Sequence, residues 1–172
     1  MDFNSKRFLE LLEEEQEYDK QGKNFWKDNI EKAKELALYS NILESAIFWE
    51  HRKSYLEIIT NFVDEKITAD EFEEQFLALT RRSSKEFKIK KNNLRYEENI
   101  TINPKSKNFI NLISRIADGL LKIYDSDLAI GNSNPYEIDR EVLRLIIKDQ
   151  FFLDFMKYCD YDLSWILKKY ST

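Results

Sequence analysis

The stretch YLEIITNFVDEKITADEFEEQFLAL, residues 55–79, decides how this chain folds. Apolar residues recur at helical spacing on both sides of its centre, which predicts two amphipathic helices joined by a short turn. Thr68 has the position of an N-cap, and Glu71 three residues later can complete a capping box. Ile67 and Phe72 stand where a hydrophobic staple requires them. The stretch therefore predicts a helical hairpin whose apolar sides face a shared core.

The composition favours an all-α fold. Among 172 residues there are only 3 Gly and 2 Pro, while 42% of the residues are hydrophobic and 34% are charged. A chain poor in turn formers and rich in helix formers is typical of long helices in an ordered domain. We therefore predict a single-domain, all-α antiparallel helical bundle of about five to seven helices.

Charge and cysteine content limit the class of protein. The net charge of -5 weighs against a generic nucleic-acid binder, which is more often basic, and leaves room for a basic partner. Cys159 is the only cysteine, so an intramolecular disulfide is impossible and a reducing compartment is the simplest interpretation. Acidic residues interrupt the N-terminal apolar stretch, and no run approaches the roughly 18 apolar residues of a membrane span. We expect a soluble, cytoplasmic protein.

Caps and apolar spacing predict the other helices. One long helix runs from residue 42 to residue 63 and is kinked near His51. Asn103 and Pro104 start another, because Asn caps well and Pro at the first helical position loses no needed amide. Gly119 within that helix suggests a close helix crossing.

The last part of the chain is predicted to hold the most buried helix. Asp139 is its N-cap, and apolar residues from Val142 to Met156 occupy nearly all of its sides. Residues 160–170 are expected to add a short final helix.

No residue pattern indicates catalysis or metal binding. His51 is the only histidine and has no cysteine or histidine at ligand spacing. Asp160 and Asp162 beside Cys159 disfavour a reactive thiolate. Neighbouring glutamates on a helix do not face each other, and neither a Gly-rich phosphate loop nor an elbow-type serine motif occurs. We predict a protein that is not an enzyme, with no catalytic residue, metal or cofactor.

Acidic residues gather at the hairpin with its second helix and again in the connector that begins at residue 125. If the two regions adjoin, they form one acidic surface, which would suit a basic protein surface such as the nucleic-acid cleft of a nuclease. The alternative is that these acids complement helix dipoles and keep the surface solvated. The residues predicted to contact the partner are Asp64, Asp70, Glu74, Asp125, Asp127 and Glu137.

A basic stretch, residues 81–95, follows the hairpin and supports a second hypothesis, a nucleic-acid-associated or regulatory helical protein. Its cations could contact phosphates, and Phe87 and Tyr96 could stack on bases. A solvated helix face is the simpler interpretation. The nucleic-acid-binding residues in this alternative are Arg81, Arg82, Lys85, Lys88, Lys90, Lys91 and Arg95.

Over about residues 55–158 the chain resembles the helical immunity proteins of the colicin D type, the antitoxins of tRNA-cleaving bacteriocins. The matching features are the hairpin IITNFVDEKITADEFEEQF, the helix FINLISRIADGLLKIYDSD with its acidic end, and the segment PYEIDREVLRLII. The resemblance implies a four-helix antiparallel bundle that covers the basic substrate cleft of a nuclease toxin with acidic side chains. It divides the chain into an N-terminal helical extension, residues 1–54, packed on an immunity-like bundle, residues 55–172.

Overall fold

The computed structural model describes residues 3–95, 100–134 and 136–159. Within these ranges the chain is all-α, as predicted, and its β-type pairing is limited to isolated bridges in the loop before residue 139. No helix in these ranges combines the length and apolar character needed to cross a membrane. The helices are α1 (Ser5–Lys20), α2 (Phe25–Asp28), α3 (Ile30–Glu50), α4 (Arg52–Val63), α5 (Ala69–Asn93), α6 (Ser106–Ser114), α7 (Arg140–Ile146) and α8 (Phe152–Tyr158).

The hairpin of α4 and α5 has the predicted cap. The Glu71 amide donates to Thr68 Oγ1 at 3.2 Å, and the Thr68 amide donates to Glu71 Oε2 at 2.7 Å. The Thr68 hydroxyl also donates to Glu71 Oε2 at 3.0 Å, and the two hydrogen bonds that the carboxylate accepts from Thr68 lower the pKa of Glu71. Behind the cap, the Phe62 and Phe72 rings stack with centroids 4.4 Å apart, so both helices are fixed against one core. The capping box is confirmed.

Two clusters of buried side chains hold the helices together. The main core lies among α4, α5, α6 and the last helices, and its fully buried aromatic residues are Tyr55, Phe62, Phe72, Phe76, Phe109 and Phe155. The N-terminal cluster packs α1 and α2 on the first half of α3, and its buried residues are Phe8, Leu11, Phe25, Ala33, Leu36, Tyr39, Leu43 and Leu94.

Helix α3 belongs to both clusters. Leu43 is part of the N-terminal cluster, whereas Phe48 lies in the main core and stacks on Tyr55 with centroids 6.3 Å apart. The Ser45 and Ser106 hydroxyls, both buried, lie 3.1 Å apart and join α3 to α6. The division of the chain at residue 54 and the antiparallel order of four core helices stay predictions.

Some helix boundaries differ from the predictions. At His51 the helix breaks rather than kinks, since α3 ends at Glu50 and α4 begins at Arg52. Helix α6 begins at Ser106 and not at Pro104, because the Asn103 side chain accepts from the Lys105 amide at 2.9 Å and forms a turn there instead of a cap.

The explanation of Gly119 by a close helix crossing is wrong. A Cβ atom at this position would meet nothing within 4 Å. Gly119 lies instead in the π-helical segment Arg115–Leu120 that continues α6. There the Leu121 amide donates to the Ile116 carbonyl, five residues earlier, at 2.8 Å.

The last helical region is less buried than predicted. It consists of α7, the π-helical segment Ile147–Phe151 and α8. Leu145 and Leu153 are 56% and 45% exposed, so one side of this region faces solvent. The short helix predicted for residues 160–170 lies outside the described residues.

Candidate functional site

The loop between α6 and α7 is held by one buried carboxylate, that of Asp139. Its Oδ1 atom accepts from the Glu141 and Val142 amides at 2.8 and 3.0 Å and so caps α7, as predicted. Its Oδ2 atom accepts from the Gly131 amide at 2.9 Å and from the Ser133 hydroxyl at 2.8 Å. The hydrogen bond from Val142, with those from Gly131, Ser133 and Glu141, outweighs burial and lowers the pKa of Asp139 to about 2.

The acidic connector, residues 125–138, is closed on itself by further hydrogen bonds. The Asp125 amide donates to the Ile138 carbonyl at 3.0 Å, and the Asp127 amide donates to Asp125 Oδ1 at 2.9 Å. Asn134 Oδ1 accepts from the Tyr136 and Glu137 amides at 2.8 and 3.2 Å. These hydrogen bonds fix the backbone conformation of the connector. Asp127 and Glu137 are both exposed, so an ordered loop presents their carboxylates to solvent.

Two large apolar side chains project from the same connector. Tyr136 is 83% exposed and Ile130 is 56% exposed. Sequence reasoning missed both, although the turn residue Asn134 before Tyr136 was a signal that the tyrosine lies at a loop tip. Exposed aromatic side chains often act as interface anchors, because they supply a large share of binding energy when a partner buries them.

A tyrosine joins the acidic connector to the hairpin. The Tyr124 hydroxyl donates to Asp70 Oδ1 at 2.5 Å. Burial and the neighbouring Asp70 carboxylate both raise the pKa of Tyr124. Because Asp125 follows Tyr124 directly, this contact brings the two acidic regions side by side at the N-terminal end of α5. The two regions adjoin at this point, and a single acidic surface formed by both stays a prediction.

The other predicted contact residues lie on the hairpin. Glu74 is exposed and follows Asp70 by one helical turn, so both lie on the same side of α5. Asp64 is partly buried and pairs with Lys66, whose Nζ atom lies 3.4 Å from its carboxylate. The structure thus joins Asp70 to the start of the acidic connector and aligns Glu74 with Asp70, and the role of all six residues as contacts stays a prediction.

Most of the basic stretch lies in the second half of α5, which ends at Asn93 before Arg95. Arg81, Lys85 and Lys88 are exposed and lie on one side of the helix, since they are spaced four and then three residues apart. Arg82 is already paired, because its Nε atom donates to Glu86 Oε1 at 2.8 Å.

The aromatic residues proposed for base stacking give this alternative little support. Phe87 is partly buried and packs against the N-terminal cluster, which leaves only part of its ring open to stack on a base. Tyr96 lies outside the described residues.

Glu86 uses its second oxygen to fix the break between α3 and α4. His51 Nε2 lies 2.6 Å from Glu86 Oε2. The hydrogen bonds from Arg82 and His51 lower the pKa of the Glu86 carboxyl. His51 therefore has a structural partner on α5.

Comparison with known families adds a finding for the hairpin. A family model described as bacterial self-protective colicin-like immunity matches residues 52–102. This segment is similar to colicin immunity proteins. It amounts to less than a third of the chain. No curated protein and no solved structure gives a significant match.

The colicin-immunity-like segment covers only part of the acidic surface. It contains Asp64, Asp70 and Glu74, together with the whole basic stretch. The acidic connector lies beyond it and is tied to it through Tyr124 and Asp70. The resemblance to colicin immunity proteins is therefore supported for the hairpin, while its extension to residue 158 and the colicin D subtype stay predictions.

Proposed function

We propose that this protein is an immunity protein that inhibits a nuclease bacteriocin by covering the toxin's basic active cleft. The observation that carries the proposal is the Tyr124–Asp70 contact, which joins the immunity-like hairpin to a second acidic region. The proposed contact residues are Asp64, Asp70, Glu74, Asp125, Asp127 and Glu137.

The acidic surface is prepared for binding before the partner arrives. The capping box fixes the start of α5, and Asp139 ties the middle of the acidic connector, at Gly131, to the start of α7. A loop that is already ordered loses little conformational entropy on association, so more of the contact energy appears as affinity. Exposed carboxylates on such a surface attract a basic cleft over a distance and speed association.

Tyr136 supplies the larger contact energy that exposed carboxylates do not provide. Exposed ion pairs contribute about 0 to 1 kcal/mol each, because water and salt screen them. A buried aromatic anchor contributes about 2 kcal/mol or more when it enters a pocket on the partner. We infer that acids steer the toxin and that Tyr136 holds it.

The mode of action is stoichiometric masking without chemistry. The basic cleft of a nuclease binds the phosphates of its substrate, so an acidic surface that occupies the cleft excludes the substrate. The protein then needs no catalytic group, metal or cofactor, and it acts in the cytoplasm, where tRNA is cut. The proposed partner is a tRNA-cleaving toxin of the colicin D type.

The test is association with the nuclease domain of the toxin whose gene adjoins this one. In one variant Glu74, Asp127 and Glu137 are replaced by lysine, and in a matched control Asp19, Glu50 and Glu57, also exposed, are replaced by lysine. Both variants have the same net charge. The first should associate about tenfold more slowly at low salt, and the difference should shrink as salt is added.

Two outcomes of this experiment contradict the proposal. Equal slowing of both variants would mean that only net charge matters and that the acidic surface has no special role. Failure of the wild-type protein to protect tRNA from the nuclease domain at a one-to-one ratio would remove the immunity function itself.

A further inference from the structure

A groove on the side of the bundle lies between α3, α5 and α6. Its volume is about 550 Å³, and its walls include the apolar side chains of Phe48, Leu77, Ile113 and Leu121. A second cavity of about 290 Å³ between α3 and α6 shares Ile110, Ser114 and Glu44 with the first. Both volumes are close to the range of roughly 300 to 1,000 Å³ typical of binding sites.

Glu44 lies where the two cavities meet. It is partly buried, and its burial raises the pKa of its carboxyl. Within the described residues no hydrogen bond or ion pair reaches this carboxylate. A carboxylate that has lost part of its hydration without a protein partner is energetically costly, and a cation that enters the groove would remove that cost.

The other charged groups of the groove do not supply this cation. Arg81, Lys107 and Lys122 are all exposed and stand at the edges. Lys122 is engaged with Asp118, whose carboxylate lies 3.4 Å from its Nζ atom. Glu73 adds a second partly buried carboxylate to the groove lining, and its pKa is raised by burial and by the charge of Asp70.

We propose that this groove is a second recognition site, which takes a lysine or arginine side chain from an apolar segment of a protein partner. The aliphatic stem of such a side chain would lie against Phe48, Ile113 and Leu121, and its cation would reach Glu44. Long basic side chains commonly bury their stems in this way while the charged end meets a polar group. The site rests on the proposed function only in taking the toxin as the source of that side chain.

The groove can be tested without the toxin. The probe is n-butylguanidinium, which has the stem and cation of arginine, and the control probe is n-butylurea, which has a similar shape without the charge. Each is titrated into the full-length ¹⁵N-labelled protein, and amide shifts are followed. We expect n-butylguanidinium to shift amides around Ile110, Ile113 and Leu121, with an affinity about fivefold above that of n-butylurea.

Variants of the protein identify the carboxylate. Glu44→Gln keeps the shape of the side chain and should remove the preference for the charged probe. Glu57→Gln, an exposed glutamate on α4, should leave that preference unchanged. Circular dichroism of both variants verifies that the fold is retained.

Three results would overturn the groove as a site for a basic side chain from a different protein partner. The shifts could spread evenly over the exposed acids, or Glu44→Gln could bind n-butylguanidinium as the wild type does. The wild type could also sediment as a dimer that Glu44→Gln dissolves, which would make a second copy of this chain the occupant.

The toxin experiment separates this proposal from the proposed function. If Glu44→Gln slows dissociation of the toxin or leaves it unchanged, the toxin is not the source of the side chain, and this proposal fails while the acidic surface stands. If the probe binds at Glu44 but the protein gives no protection against the toxin, the immunity function fails and the groove stands. We expect dissociation to become about tenfold faster in Glu44→Gln.

Discussion

Replacing Asp139 by asparagine is the sharpest test of how the acidic connector is held. Asparagine caps helices about as well as aspartate, so its carbonyl oxygen can keep the amides of Glu141 and Val142. Its NH2 group then takes the place of Oδ2 and faces the Gly131 amide and the Ser133 hydroxyl, which are both donors. Ser133 can rotate its hydroxyl, but the Gly131 amide loses its acceptor.

The expected loss of stability follows from these contacts. A buried donor left without a partner costs about 1 to 3 kcal/mol, and the lost hydrogen bonds had a charged acceptor. The lowered pKa arises from the same hydrogen bonds and gives a figure of similar size, since a fall from 3.8 to about 2 corresponds to roughly 2 kcal/mol of preference for the ionised form. We therefore expect Asp139→Asn to lower the free energy of unfolding by about 2 to 3 kcal/mol. Asp139→Ala also loses the cap and should cost about 1 kcal/mol more.

Urea melts of the three proteins at pH 7 measure these differences, and a second series at lower pH tests their origin. Because the pKa of Asp139 is lower in the folded protein, its stabilisation is present above about pH 4 and is lost as the pH falls toward 2. The difference in the free energy of unfolding between wild type and Asp139→Asn should shrink as the pH falls from about 4 toward 2. An Asp139→Asn protein within about 0.5 kcal/mol of wild type at pH 7 would refute the reasoning, since that is the range of ordinary surface changes.

Other parts of the structure give further predictions. In urea melts Phe72→Ala should lower the free energy of unfolding by about 3 to 5 kcal/mol, because the ring is fully buried. Thr68→Ala should lower it by about 1 kcal/mol and Glu74→Ala by less than about 0.5 kcal/mol. Equal losses for Phe72→Ala and Glu74→Ala would mean that the wrong side of α5 was assigned to the core. Tyr136→Ala should leave the melt unchanged and weaken toxin binding at least about tenfold by calorimetry, and unchanged binding would exclude it as an anchor. Filter binding of mixed RNA and DNA should detect no strong, steeply salt-dependent complex, and finding one would favour the basic stretch as a nucleic-acid site.

The hairpin could be predicted because its signals are local. The capping box needs residues three positions apart, and the apolar stripes need spacing within one helix. The break at His51 depends on Glu86, which is 35 residues away and lies on another helix. The start of α6 depended on whether Asn103 forms a cap or a turn, and the sequence is compatible with both.

Only part of the candidate site could be predicted from the sequence. Its acids could be named, but their adjacency rests on the contact of Tyr124 with Asp70, 54 residues apart. Nothing in the pattern around Glu44 marks it as partly buried, because that burial comes from α5 and α6 packing beside α3. The exposure of Tyr136 likewise depends on how the connector is closed by its own hydrogen bonds.

The structure also divides the acids between the two interpretations that the sequence left open. Glu71 and Asp139 are committed to backbone amides at helix starts, and both have lowered pKa values for that reason. Glu74, Asp127 and Glu137 are exposed and available to a cation in solution. Under the proposed function, partner steering falls to the exposed acids, whereas Glu71 and Asp139 complement the helix dipoles. Charge reversal of the first group should lower stability, whereas reversal of the second should lower the association rate and leave the fold intact.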